Sequence, residues 1–134
     1  GCIRVQSSLS KVIPNRAQRL AVGTPDGVVL LYDLRTATKW RILQGHEGCV
    51  SALAFSPLGE MVASLSCADR TLRWWQTGST GFFGFLGLQG SCNAVSKLGD
   101  LSIPERGGPI LEWISPQSIQ LSVNKQVLAV FPKP

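Results

Sequence analysis

Two stretches of the chain carry the same order of apolar strands and polar turns. The first runs Leu20-Ala21-Val22-Gly23, turns through Thr24-Pro25-Asp26-Gly27 and resumes as Val28-Val29-Leu30-Leu31-Tyr32-Asp33. The second runs Val62-Ala63-Ser64-Leu65, turns through Ser66-Cys67-Ala68-Asp69 and resumes as Arg70-Thr71-Leu72-Arg73-Trp74-Trp75-Gln76. Short apolar runs bounded by Gly, Pro, Asp and Ser predict antiparallel strands. Ahead of the second copy, Cys49 to Phe55 alternates as an inner strand, and Ser56-Pro57-Leu58-Gly59 reverses the chain. Pro57 sets one dihedral of that turn and Gly59 can take positive φ. Lys39 to Gln44 predicts the outer strand of the first unit, and Gly45-His46 opens the next.

The offset between copies is 42 residues from Leu20 to Val62 and 43 from Asp26 to Asp69, so the second turn holds one more residue. Tyr32 and Trp75 each lie six residues beyond the turn acid. A period of this length is that of propeller blades. A weaker third copy follows: Trp113 to Pro116 aligns with Ala54 to Pro57 at an offset of 59. Ile119 to Val123 and Val127 to Phe131 then predict two strands around an Asn124-Lys125 turn. The expected fold is all-β, a propeller fragment of about two to three four-stranded antiparallel blades. Residues 1–44 form the first blade with a partial N-terminal strand, 45–91 the second, and 92–134 a loop and a partial third blade. Extra length falls in 78–91 and 98–108. So few blades leave open edges and faces, so the remaining blades of the same propeller are expected as neighbours.

The motif Gly45-His46, Val50-x-x-Leu53-x-Phe55-Ser56-Pro57-x-Gly59, Ala63-Ser64, Asp69-x-Thr71 and Trp75-Gln76 resembles a WD repeat, with Gln76 in place of the final Asp. His46 and Trp75 are 29 residues apart, within the range of such repeats. The resemblance implies a structural tetrad in which His46 reaches Asp69 while Ser64 and Trp75 complete a buried relay. Asp26 and Tyr32 hold the equivalent positions of the first blade. The close in Trp75-Gln76, the longer turn at Ser66 to Asp69, and a first blade ending in Tyr32-Asp33-Leu34-Arg35-Thr36 set the chain apart. A Gly-Leu-rich segment, a proline-containing loop and a strand with Trp113 follow. This order is similar to the C-terminal propeller of the rabconnectin beta-subunit family of WD-repeat proteins. That resemblance implies a scaffold that works with a larger WD-repeat partner and with subunits of the vacuolar-type proton pump, hence in vesicle acidification. It implies a cytoplasmic protein, peripheral on vesicle membranes, with any membrane association indirect.

A scaffold acts through loops held on a rigid frame. The turns Thr24 to Gly27 and Cys67 to Arg70, with the loop Glu47 to Cys49, are the expected partner rim, and Thr24, Asp26, Glu47 and Arg70 its candidate contacts.

Composition removes most other classes. Hydrophobic residues are 44% of the chain and charged residues 16%, enough apolar material for a core. The net charge is +5, but the basic residues stand singly and no nucleic-acid motif is present, so no nucleic-acid partner is expected. Cys2, Cys49, Cys67 and Cys92 are spaced by 47, 18 and 25 residues, which fits no metal site even with the lone His46. They are expected to be buried thiols, and no cofactor is expected. Ser64, His46 and Asp69 are the components of a hydrolase triad, yet Ser64 sits mid-strand and no G-x-S-x-G elbow exists. The chain is therefore not expected to be an enzyme. Gly84 to Gly90 lacks the Lys-Ser/Thr of a phosphate loop. Phe82, Phe83, Phe85 and Leu88 are expected to belong to the outer strand of the second blade, with a partner or membrane patch as the alternative. Trp40, Trp74 and Trp113 are expected in the core or at blade edges.

Overall fold

The computed structural model describes residues 4–8, 19–33, 38–57, 61–76, 91–104 and 108–134. All its regular structure is β: β1 (Arg4–Ser8), β2 (Arg19–Gly23), β3 (Val28–Asp33) and β4 (Thr38–Gln44) make a first sheet in that order. β5 (Ala52–Phe55), β6 (Met61–Ser66), β7 (Thr71–Gln76) and β8 (Ser91–Lys97) make the second. β9 (Ile110–Ser115), β10 (Ser118–Val123) and β11 (Gln126–Pro132) make a third, with β10 in the middle. Within each sheet every strand pairs antiparallel with the next in sequence, and the first strands β1, β5 and β9 lie side by side. Three twisted meanders stacked through their faces, with first strands innermost, are consecutive blades of a propeller.

Period-two alternation sorts each strand between two cores. Ala21, Val29, Leu31 and Leu43 of the first sheet pack on Val50, Leu53, Val62 and Trp75 of the second. The other face of the second sheet, with Ala52, Ala54, Met61, Ala63, Leu65, Leu72 and Trp74, packs on Leu111, Ile119 and Leu121 of the third. Every residue of β6 is buried because both its faces are covered. Two contacts fasten the third sheet to the second: Trp113 stacks edge-on against Trp74 at 5.5 Å, and its Nε1 donates to the Ala54 carbonyl at 3.1 Å. Trp74 Nε1 donates to Ser96 Oγ at 3.0 Å.

The second sheet ends at Lys97, beyond the boundary expected at residue 91. Its outer strand is the polar segment Ser91–Lys97, placed by pairing with β7 through a bulge between Trp74 and Trp75. The segment expected to supply that strand, with Phe82, Phe83, Phe85 and Leu88, lies outside the described residues, as does the side chain of Trp40. The Asn124-Lys125 turn between β10 and β11 has both residues at positive φ, 52° and 66°, the backbone of a two-residue hairpin turn.

The cysteines require a correction. Cys67 is a free, partly buried thiol, but Cys49 is disulfide-bonded. Spacing along the chain says nothing about which thiols fold to within bonding distance, so the expectation of unpaired thiols fails at Cys49.

Candidate functional site

The loop between β4 and β5 crosses the end of the second sheet and carries His46 down onto it. Antiparallel pairing sets Ser64 in the centre of β6, and Trp75 reaches it from β7. The structure brings His46, Ser64, Asp69 and Trp75 together in one line of hydrogen bonds. Trp75 Nε1 donates to Ser64 Oγ at 2.8 Å, and Ser64 Oγ lies 2.7 Å from His46 Nε2. His46 Nδ1 lies 2.9 Å from Asp69 Oδ2. Indole can only donate and an ionised carboxylate can only accept. The direction of the whole line follows: the Ser64 hydroxyl donates to Nε2, and a neutral His46 donates from Nδ1 to Asp69.

Asp69 is held from several sides. Its Oδ2 also accepts from the Glu47 amide at 2.9 Å, and its Oδ1 accepts from the Thr71 hydroxyl at 2.6 Å and the Thr71 amide at 3.0 Å. Its own amide donates to Ser66 Oγ at 3.3 Å. Thr71 and Ser66 extend the four residues read from the sequence; the Asp69-x-Thr71 pattern was the available signal for Thr71.

Burial, the largest influence, pulls the pKa of His46 below its ordinary value, assisted by the Arg73 charge and opposed by Asp69. For Asp69, burial pushes the pKa up, but the bonds from Thr71, the Glu47 amide and His46 outweigh it, and the net direction is down. Both groups bind fewer protons folded than unfolded near their ordinary values, so both favour the fold at higher pH. Protonating His46 would turn Nε2 into a donor and leave the Ser64 hydroxyl hydrogen without its acceptor. Stability is therefore expected to fall as the pH drops below the ordinary histidine value of 6.5, and to fall again below 3.8 through Asp69. His46 is the only histidine of the chain. Urea midpoints taken from pH 7.5 to 5.5 should decline in the parent protein and be flatter in His46→Gln; parallel profiles would refute this.

The same atoms have the order of a hydrolytic triad. Ser64, however, is fully buried, and its oxygen already accepts the Trp75 proton. No carbonyl carbon can reach it at the separation that nucleophilic attack needs. The arrangement ties the inter-sheet loop to the β6–β7 turn. In the first sheet Val22 stands where Ser64 stands in the second, so no hydroxyl is present to join such a line; Asp26 is exposed and Tyr32 partly exposed.

The loops above the relay form one continuous end of the stack. Val50 N donates to Thr24 O at 3.2 Å across the first two sheets. Thr24 closes its own turn, its Oγ1 accepting from Val28 N at 3.1 Å. Arg70, in the left-handed region at φ 57°, turns its guanidinium onto backbone carbonyls: Nε and one Nη donate to Gly99 O at 3.2 and 2.8 Å, and that Nη also bonds Leu101 O. Thr24 and Arg70 thus make bonds within the fold. A local sequence reading could not foresee that the loop after β8 would place its carbonyls under Arg70. Asp26 and Glu47 do project to solvent, and Asp100 joins them on the loop that Arg70 holds.

Fold and relay define a class: the three sheets are a fragment of a β-propeller, and a WD repeat matches within them. Residues 37–76 match the family described as WD domain, G-beta repeat. DDB1- and CUL4-associated factor 13 of Dictyostelium discoideum is 33% identical over 63 residues, 47% of this chain and 14% of that protein. Polyadenylation factor subunit 2 of Kluyveromyces lactis is 41% identical over 59 residues, 40% of this chain and 13% of that protein. The chain thus spans less than a fifth of the length of these curated relatives. Among solved structures, a chain of the Polycomb Repressive Complex 2 of Chaetomium thermophilum superposes with TM-score 0.67 at 19% identity, over 97% of this chain and 26% of that one. The Cps50 (Swd1) β-propeller domain of Myceliophteria thermophila gives 0.54 at 20%, over 78% and 29%. At these identities the likeness is one of fold.

Proposed function

We propose that the chain is part of a non-catalytic scaffold whose blade-end loops bind another protein. The observation that carries this is the single rim built by the Thr24–Gly27 turn, the loop after β4 and the loop after β8, cross-linked by backbone bonds and by Arg70. Loops fastened in this way lose little further freedom on binding, which favours affinity. The exposed carboxylates Asp26, Glu47 and Asp100 suit a basic segment of the partner. Relatives named as a polyadenylation factor subunit and as an associated factor are consistent with work inside complexes.

Replacing Asp26 and Glu47 together by Lys should remove at least one partner recovered by affinity purification from cell extract with mass spectrometry. The unfolding free energy from urea titration should stay within about 0.5 kcal/mol of the parent, because exposed charges contribute little to stability. Retention of every partner would refute the rim.

A finer reading is that the scaffold regulates assembly of the vacuolar-type proton pump, from the cytoplasm and at vesicle surfaces, beside a larger WD-repeat protein. Its support is the order of elements around Trp75-Gln76 and Trp113, and none of the relatives named above carries it. Recovery of pump subunits in the same purification would support this reading; recovery of unrelated complexes alone would leave the generic scaffold.

A further inference from the structure

The loop that follows β8 carries one described serine, Ser102, which differs from the other serines near this end of the stack. Ser51, Ser64, Ser66 and Ser96 each accept a hydrogen bond within the fold. Ser102 is exposed and lies outside any strand, and its hydroxyl has no hydrogen-bond partner among the described residues.

Beside this serine stands a guanidinium with donors to spare. Arginine has five N–H groups. Arg70 spends three of them: Nε and one Nη donate to the Gly99 carbonyl, and the same Nη donates to the Leu101 carbonyl. The other Nη keeps both its hydrogens, and Arg70 makes no ion pair among the described residues. The Leu101 carbonyl oxygen and the Ser102 Cα belong to one planar peptide unit and lie roughly 3 Å apart. The bond from Arg70 to that oxygen therefore holds the guanidinium within reach of a group carried on the Ser102 side chain. Lys97 adds a second exposed cation at the end of β8, where the Leu98 amide donates to the Arg70 carbonyl at 3.0 Å.

An unengaged hydroxyl next to a guanidinium held in place by carbonyls suits a phosphate. Guanidinium and phosphate pair through parallel N–H···O bonds, roughly twice as strong as bonds between neutral groups. We propose that Ser102 is a phosphorylation site and that Arg70 is the receptor for its phosphate. In the active site of a protein kinase, the γ-phosphoryl group of ATP passes to Ser102 Oγ. The Oγ–P bond forms as the bond from the γ-phosphorus to the β–γ bridging oxygen breaks. ADP leaves, and the hydroxyl proton goes to a carboxylate base of the kinase. Asp100, two positions before, and Glu105, three positions after in the sequence, fit a kinase with a basic substrate cleft. The product carries a charge of about −1.5 to −2. It pairs with the spare Nη of Arg70, fastens the loop after β8 to the β6–β7 turn, and adds negative charge beside Asp100. The inference rests on this loop and stands whether or not the rim binds a partner.

The test isolates the whole protein from its cells with phosphatases inhibited and maps its phosphopeptides by mass spectrometry. The expected result is a phosphate on Ser102 that is absent from Ser102→Ala. Recovery of the Ser102 peptide in unmodified form only would overturn the proposal. Phosphorus NMR of the modified protein then reports the receptor. The second ionisation of phosphoserine lies ordinarily near about pH 6. Arg70 favours the dianion, so in the parent it should fall by about half a pH unit or more. It should return to its ordinary value in Arg70→Gln. Arg70→Lys keeps the charge but loses the planar fork, and should lie between the two. A titration unmoved by Arg70→Gln would overturn Arg70 as the receptor. Loss of rim partners with this titration intact would bear on the scaffold function alone.

Discussion

Ser64→Ala is expected to lower the stability of the propeller by about 3 kcal/mol while leaving the backbone of β6 in place. The hydroxyl removed is both the acceptor for Trp75 Nε1 at 2.8 Å and the donor to His46 Nε2 at 2.7 Å. Ser64 is fully buried and His46 and Trp75 nearly so, so water cannot take over either bond. Each stranded polar group costs about 1–3 kcal/mol, and two in one network do not simply add. Trp75→Phe removes a donor and keeps the ring, so alone it should cost less. In the double variant the loss of the indole donor should add little to the loss of the hydroxyl. A double-mutant cycle by urea unfolding should therefore give a coupling of about 1 kcal/mol. If Ser64→Ala lowered the unfolding free energy by less than about 0.5 kcal/mol, the relay would not be a stabilising element of the blade.

Gly27→Ala is expected to be at least as damaging, for a reason that lies in two sheets at once. Gly27 has φ +87°, a conformation that side-chain-bearing residues adopt with strain, worth about 1–3 kcal/mol. A Cβ there would also overlap the His46 carbonyl oxygen and lie 2.9 Å from the Gly48 carbonyl oxygen. Those atoms are backbone and cannot swing aside. The loop that holds His46 above Ser64 would have to move, so the substitution in the first sheet should disturb the relay of the second. The expected loss is about 3 kcal/mol or more, with faster amide exchange at Glu47, whose N–H donates to Asp69. Arg70 occupies the equivalent turn position and tolerates φ 57° because its guanidinium is bonded to Gly99 and Leu101. Gly27 has no such compensation to give to an alanine.

The two variants distinguish what the relay does from what a catalytic triad would do. Structural atoms fail as a loss of stability at every substrate concentration. Their arrangement explains why three residue types associated with hydrolysis coexist here without an accessible nucleophile: the fourth member, Trp75, occupies the approach to the oxygen.

Much of this architecture was legible from residue order. The alternation in β5, β10 and the paired copies β2–β3 and β6–β7 is strong because one or both faces of these strands are buried. The relay of His46, Ser64, Asp69 and Trp75 was implied by the resemblance to a WD repeat, and the structure brings the four side chains together. Asn124-Lys125 announced its hairpin because a two-residue turn demands positive φ at both positions. β8 was not legible: Ser91–Lys97 has no apolar face of its own, and its strand conformation comes from the edge that β7 offers. β1 was expected only as a partial N-terminal strand of the first blade, and pairing with β2 sets its bounds at Arg4–Ser8.

Sequence alone determined that the chain forms short antiparallel strands in repeating units, because periodicity and turn chemistry act over neighbouring residues; the buried relay of one unit was implied by its resemblance to a WD repeat. Tertiary structure decided which polar groups remain available to a partner. Arg70 looks like a free rim residue until a loop 29 to 31 positions away brings its carbonyls to the guanidinium, and Thr24 until the Val50 amide, 26 positions on, donates to its carbonyl. Tertiary structure also decided which apolar residues stay uncovered. Ile110, Ile114, Val127 and Val130 differ from their buried neighbours in the sheet they face, and the facing sheet is set by the stacking of whole blades.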